Sequence, residues 1–188
     1  MPRRTDKAQT MTAPIIKPIT LIGMMGSGKT HFGRRIAKAL GLPFYDSDVL
    51  IEQKAGCSVA QIFERWGESK FREVEAKTIA ETLEGDVCVL ATGGGAIMNP
   101  DTAARIFNRS IAVWVRADMD DILKRVAKNA NRPLLACENP RDVIEKLMHT
   151  RQPVYEKAPL QLYSSGRKYS DALQDILRAI HQENENVR

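Results

Sequence analysis

The 188-residue chain has little of what marks several large protein classes. Its three cysteines, Cys57, Cys88 and Cys137, include no C-x-x-C pair. That spacing argues against a disulfide scaffold or a zinc site and fits free thiols in a reducing cytoplasm. The three histidines, His31, His149 and His181, are too dispersed for a metal cluster. No apolar run approaches the roughly 18 residues a membrane span requires. The first residues contain no apolar segment of the signal-peptide kind, so neither a membrane nor a secretory role is expected. Excess charge is also scarce where it would matter. The net charge is +5, but Arg3, Arg4, Lys7 and Lys17 against Asp6 place +3 of it in residues 1–18. A body carrying only the remaining +2 speaks against a broad nucleic-acid face, while leaving room for a focused cationic cleft. Internal repeats and low-complexity tracts are lacking as well.

What the chain does have is Gly23-Met24-Met25-Gly26-Ser27-Gly28-Lys29-Thr30, a complete G-x-x-x-x-G-K-[ST] pattern. The β-prone run Ile19–Ile22 precedes it. Phe32, Ile36, Ala39 and Leu40 follow at helical spacing and are closed by Gly41. Strand, glycine loop and helix form the setting in which this pattern binds phosphates. Gly26, Ser27 and Gly28 lie where backbone N–H groups converge, and the helix N-terminus adds partial positive charge. Lys29 can reach the β- and γ-phosphates of a nucleotide, and the Thr30 hydroxyl can ligate Mg2+. His31, next in line, reads as a helix-surface residue.

Further strands are expected at Phe44–Tyr45, Val87–Ala91, Ile111–Val115 and about Leu160–Tyr163, with amphipathic helices between them. Ser58 and Gln61 form a capping box for a helix that Gly67 ends, and a second helix runs from about Glu68 to Leu83. This alternation predicts a single α/β domain over 19–182, a parallel sheet with helices on both faces. Residues 1–18 read as a flexible leader, 183–188 as a frayed tail, and 128–139, with its Asn and Pro punctuation, as a lid loop. In such a fold ligands gather at the carboxyl ends of the strands, where the P-loop, Asp46 with Asp48, and Gly93–Gly95 all fall.

Asp46 and Asp48 alternate along a segment taken as extended, so both carboxylates would share one side; an N-cap for the next helix is the plainer alternative. Arg72 has Glu75 at i+3 to hold its guanidinium, or the two form an ordinary surface pair. Three consecutive glycines after an apolar strand suggest close backbone approach to a ligand. Arg132 is placed like a lid arginine that arrives on closure. Arg151 suits either an anion site or a helix C-terminus, and Arg125 either base stacking or solvent.

Together with the P-loop, Asp46-Ser47-Asp48, Glu68-Ser69-Lys70-Phe71-Arg72, Thr92-Gly93-Gly94-Gly95-Ala96, Asn131-Arg132-Pro133-Leu134-Leu135 and Arg151-Gln152-Pro153-Val154-Tyr155 resemble the shikimate kinase family. The resemblance spans about residues 19–180. It implies a three-layer P-loop kinase fold with a five-stranded parallel sheet in the order 2-3-1-4-5, a lid, and a helical substrate-binding segment over about 51–83. It also implies ATP-dependent phosphorylation of the 3-hydroxyl of shikimate. Asp48 would then hold the shikimate hydroxyls and act as base, Arg72 and Arg151 would bind the carboxylate, and Gly94 would offer a backbone N–H. Lys29 and Arg132 would stabilise the moving phosphoryl group. Thr30 would ligate Mg2+, Asp46 would reach it through water, and Arg125 would stack on adenine beside residues 165–170. A monomer is expected. The rivals are a nucleoside-monophosphate kinase, a gluconate-type kinase, and a regulator that binds ATP without transferring it.

Overall fold

Four fully buried residues, Ile19–Ile22, three of them apolar, form the central strand β1 of the computed structural model, which describes residues 13–128 and 139–187. With both faces covered, every position of β1 is buried, Thr20 included, as in a central parallel strand. The other strands are β2 (Phe44–Asp46), β3 (Val89–Ala91), β4 (Ile111–Arg116) and β5 (Leu160–Tyr163). All pairings are parallel and the order is β2-β3-β1-β4-β5, the order the resemblance implies.

Among the described residues, seven α-helices connect and flank the strands: α1 (Lys29–Leu40), α2 (Ser47–Ala55), α3 (Val59–Glu84), α4 (Pro100–Arg109), α5 (Met119–Ala127), α6 (Pro140–Tyr155) and α7 (Tyr169–Asn186). A 3-10 turn, Ala96–Met98, follows the triple glycine. One sheet face packs Ile19, Leu21, Val113 and Val115 against Phe32 and Ile36 of α1 and Ile176 and Ile180 of α7. The opposite face packs Ile22, Leu90 and Trp114 against side chains of α3 to α6, among them Ile79, Ile106, Ile122 and Tyr155. A third, smaller cluster of Ile51, Ile62 and Phe71 stands apart from both and supports only α2 and α3.

The capping box forms as expected: Ser58 Oγ accepts from the Gln61 N–H at 3.2 Å, and Gln61 Oε1 from the Ser58 N–H at 2.9 Å. Gly67 interrupts α3 with φ 79° and ψ 174°, so the single span consists of two helices joined at a glycine kink. This backbone conformation is open essentially to glycine alone.

Two expected boundaries move. The tail expected to fray from 183 is helical to Asn186, because Asn184 is buried and holds the other end of the chain. Its Oδ1 accepts from the Ile16 N–H at 2.9 Å, and its Nδ2 donates to the Pro14 carbonyl at 3.0 Å. Residues 14–16, expected to belong to a flexible leader, are therefore tied to α7, with Ile15 packed on the core. No described helix is long and apolar enough to cross a membrane.

Candidate active site

The P-loop closes on itself through its lysine. Lys29 is buried, and Nζ donates to the carbonyls of Gly23 and Met24, each at 2.8 Å. These bonds satisfy a cation that burial would otherwise penalise, and they draw the two ends of the loop together. The first N–H groups of α1 lack intrahelical partners by construction, which leaves an anion-binding end facing the cleft.

Arg125 on α5 braces the loop from outside. Its Nη1 donates to the Gly26 and Ser27 carbonyls at 3.1 and 3.3 Å and to Ser164 Oγ at 3.1 Å. Nη2 donates to the Ser164 carbonyl at 3.3 Å, and Asp121 pairs with it at 3.6 Å. The solvated alternative for Arg125 does not hold: its guanidinium fastens the P-loop to the segment after β5. That segment is tied to α5 a second time, because Ser165 Oγ donates to Asp121 at 2.6 Å and accepts from the Asp118 N–H at 3.0 Å. No sequence pattern signalled these two serine ties, since the partners lie 39 to 47 positions away.

Asp46 and Asp48 differ from the sequence reading. Asp46 ends β2 and caps α2, accepting from the Asp48 N–H at 3.2 Å, so Asp48 lies in the first turn of a helix rather than on an extended strand. The capping alternative is thus realised, and it separates the two carboxylates. Asp46 Oδ2 accepts from Thr30 Oγ1 at 2.8 Å. Asp48 Oδ1 instead turns to the glycine loop, 3.3 Å from where a Cβ on Gly93 would stand. Between them Ser47 is fully buried, and its Oγ accepts from the Gly93 N–H at 3.0 Å. Among the described residues there is no group of three His, Cys, Asp or Glu side chains able to hold a metal. A hydroxyl beside one carboxylate does fit Mg2+, which takes few protein ligands and completes its shell with water and phosphate oxygens.

The triple glycine is explained by what crowds it. A Cβ on Gly93 would meet Glu75 Oε1 at 2.5 Å. One on Gly94 would meet the Gly23 carbonyl oxygen at 3.2 Å, with Arg151 Nη1 and the Met25 nitrogen both at 3.3 Å. One on Gly95 would meet Arg72 Nη2 at 2.6 Å. Each glycine therefore admits a different neighbour, and Gly94 brings the acceptor side against the P-loop itself.

The charges are interlocked. Arg72 Nη1 bonds Glu75 Oε2 at 2.6 Å, and Nη2 bonds Glu68 at 3.2 Å. Glu75 is 1% exposed, so the surface-pair alternative fails for this partner. Burial raises the Glu75 pKa, against the pull of the Arg72 charge and hydrogen bond; Asp48 adds to the rise and Arg151 opposes it. Burial alone would lower the Arg72 pKa, but the charges and hydrogen bonds of Glu75 and Glu68 outweigh it and raise the value. Arg151, on the last turns of α6, is buried rather than solvated at a helix end. Arg132 falls outside the described residues. Lys29, Asp48, Arg72, Gly94 and Arg151 come together around one loop, and Thr30 and Asp46 adjoin them. His31 is an exposed residue of α1, set edge-to-face against Tyr169 at 4.8 Å. Cys88 is buried, its thiol pushed up to about 11 by burial with help from Asp86, which makes it a poor nucleophile.

Comparison with known proteins agrees with this geometry. The family model described as shikimate kinase matches residues 25–181. A shikimate kinase from Bradyrhizobium diazoefficiens is 41% identical over 176 residues, covering 94% of this chain and 85% of that protein. The structure of a shikimate kinase from Acinetobacter baumannii in complex with shikimate superposes with a TM-score of 0.85 at 36% identity, covering 90% of this chain and 96% of the other. A gluconokinase from Sinorhizobium meliloti superposes at 0.64 with only 16% identity, over 93% and 97% of the two chains, and so shares the fold alone. A P-loop joined to this arginine- and glycine-lined neighbour therefore has a known family, and the chain belongs to the shikimate kinases.

Proposed function

We propose that this chain transfers the γ-phosphoryl group of ATP to the 3-hydroxyl of shikimate, as a cytoplasmic monomer serving aromatic amino-acid biosynthesis. The observation that carries the reading is the pairing of a phosphate cradle with a cationic pocket across Gly94. Shikimate offers one carboxylate and several hydroxyls, and Arg72, Arg151 and Asp48 are their chemical complements.

In this reading Arg72 and Arg151 hold the carboxylate, while Glu75 and Glu68 keep Arg72 from collapsing onto the phosphates. Asp48 orients the acceptor hydroxyl and takes its proton as the new O–P bond forms and the bond to ADP breaks. Lys29 exchanges its two carbonyl partners for phosphate oxygens, so nucleotide entry loosens the tie between the ends of the P-loop. Thr30 would hold Mg2+, with Asp46 reaching it through water; the ion would neutralise charge on the phosphates. Arg132 would complete the site from the lid, and Arg125 would face adenine while bracing the loop. Most of the catalysis then comes from positioning and charge neutralisation.

A coupled assay of ADP release with shikimate, gluconate and AMP as acceptors tests the reading. Shikimate alone should accelerate release; no acceleration above the background ATPase would overturn it.

A further inference from the structure

The P-loop, the triple glycine and Arg151 converge on one side chain with no role assigned so far. Tyr155 is 0% exposed and lies four residues after Arg151, on the same face of α6. Its ring stacks on Trp114 of β4, with centroids 5.8 Å apart and planes at 27°, which fixes the direction of the hydroxyl. That hydroxyl donates to the Gly94 carbonyl at 2.6 Å and touches Met24 Sδ of the P-loop at 3.8 Å. The Arg151 guanidinium stands beside the same glycine, its Nη1 3.3 Å from where a Cβ on Gly94 would lie. Burial pushes the phenol up to about 12, against the opposing charge and hydrogen bond of Arg151, so it stays a donor across the working pH range.

A run of glycines has no side chains by which packing could hold it, and it carries more conformational freedom than any other sequence. A loop of this kind keeps a defined peptide orientation only if something outside fastens its backbone. We infer that Tyr155 is the positioning residue of the acceptor site: its hydroxyl fastens the Gly94 carbonyl beside Arg151 and keeps the carboxylate-binding cation and the glycine loop in register against the P-loop. The inference rests on the functional reading above. It gives the ring of a core residue a second task, carried by a single oxygen.

Tyr155→Phe removes that oxygen and keeps the stack on Trp114. In the full-length enzyme, kcat/KM for shikimate should fall about tenfold, as for a lost buried hydrogen bond, mostly through KM. The KM for ATP should change less than about twofold. With Arg151→Ala already present, the same substitution should cost less than about threefold, because the junction is already broken. An unchanged shikimate KM with a lowered melting temperature would reduce Tyr155 to a packing residue. Equal losses for both substrates, or full additivity with Arg151→Ala, would also overturn the inference. If the variant does not fold, the unaltered protein labelled with 13C-tyrosine provides the readout. The Tyr155 Cζ resonance should move on adding shikimate and stay still on adding ADP; no movement with shikimate would overturn the inference. An unaltered enzyme inactive on shikimate would overturn the functional reading itself, whereas an active one with an indifferent Tyr155→Phe overturns only this step.

Discussion

Between residues 23 and 30 one stretch of chain supplies the phosphate cradle, and its principal side chain, Lys29, is held by carbonyls five and six positions away. The acceptor side has no such local origin. Asp48 comes from α2, Arg72 from α3, Gly94 from the loop after β3 and Arg151 from α6. The cradle rests on a main core through Met24 and Met25, while α2 and the stretch of α3 about Ile62 and Phe71 lean on the small cluster those two form with Ile51. A local motif can pass unchanged among many kinases because little beyond it must agree. An acceptor pocket assembled from four elements depends on all of them, so it can discriminate among acceptors. It is also the more easily disturbed, since a few buried side chains hold it.

Substitutions should separate the two sides. Lys29→Ala should cut kcat by on the order of 10³-fold, the scale of losing a preorganised donor to a developing charge. Single-turnover kinetics would check this, and a loss confined to shikimate KM would blur the division. Arg72→Ala should weaken shikimate by about 2 kcal/mol, the low end for a buried charge pair because Arg72 is partly exposed. ATP affinity, measured by titration calorimetry, should barely move; matched losses would mean that the two sides are one unit. Gly95→Ala sets a methyl 2.6 Å from Arg72 Nη2, the movable end of a flexible side chain. It should raise shikimate KM by roughly tenfold with near-normal ATP binding, and steady-state kinetics would expose any larger effect on ATP.

The smallest expected effect concerns pH. Glu75 has a raised pKa, so the folded state keeps its proton over a range where the unfolded state has lost it. Stability therefore falls as pH rises from the ordinary glutamate value through the raised one. Melting curves of the native protein and Glu75→Gln should show the native form losing ground over that window. A difference that grows in its favour with pH would reverse the assignment.

The sheet was legible because β1, β3 and β4 are short, mostly apolar runs and each leads into glycine or polar residues. The P-loop was legible because its chemistry is contiguous. Asp48 was misread as extended because Asp46 is both the end of a strand and a helix cap, and one residue of difference decides which way Asp48 points. The brace from Arg125 to Ser164 and the tie from Asn184 to Ile16 could not be read at all, since they join positions that only the folded chain brings together. Tyr155 did leave a signal, its i+4 spacing from Arg151. A tyrosine on an apolar face, however, reads first as core.

Gly67 carries a consequence of handedness. A Cβ there would meet nothing within 4 Å, so the demand for glycine at the kink of α3 is one of torsion and not of room. Its φ of 79° and ψ of 174° are the mirror image of an extended conformation that any L-residue adopts easily. In torsion, a D-alanine introduced there by semisynthesis would therefore suit the backbone where L-alanine is strained. The joint that angles Arg72 toward the glycine loop thus distinguishes side chains by chirality and hardly at all by size.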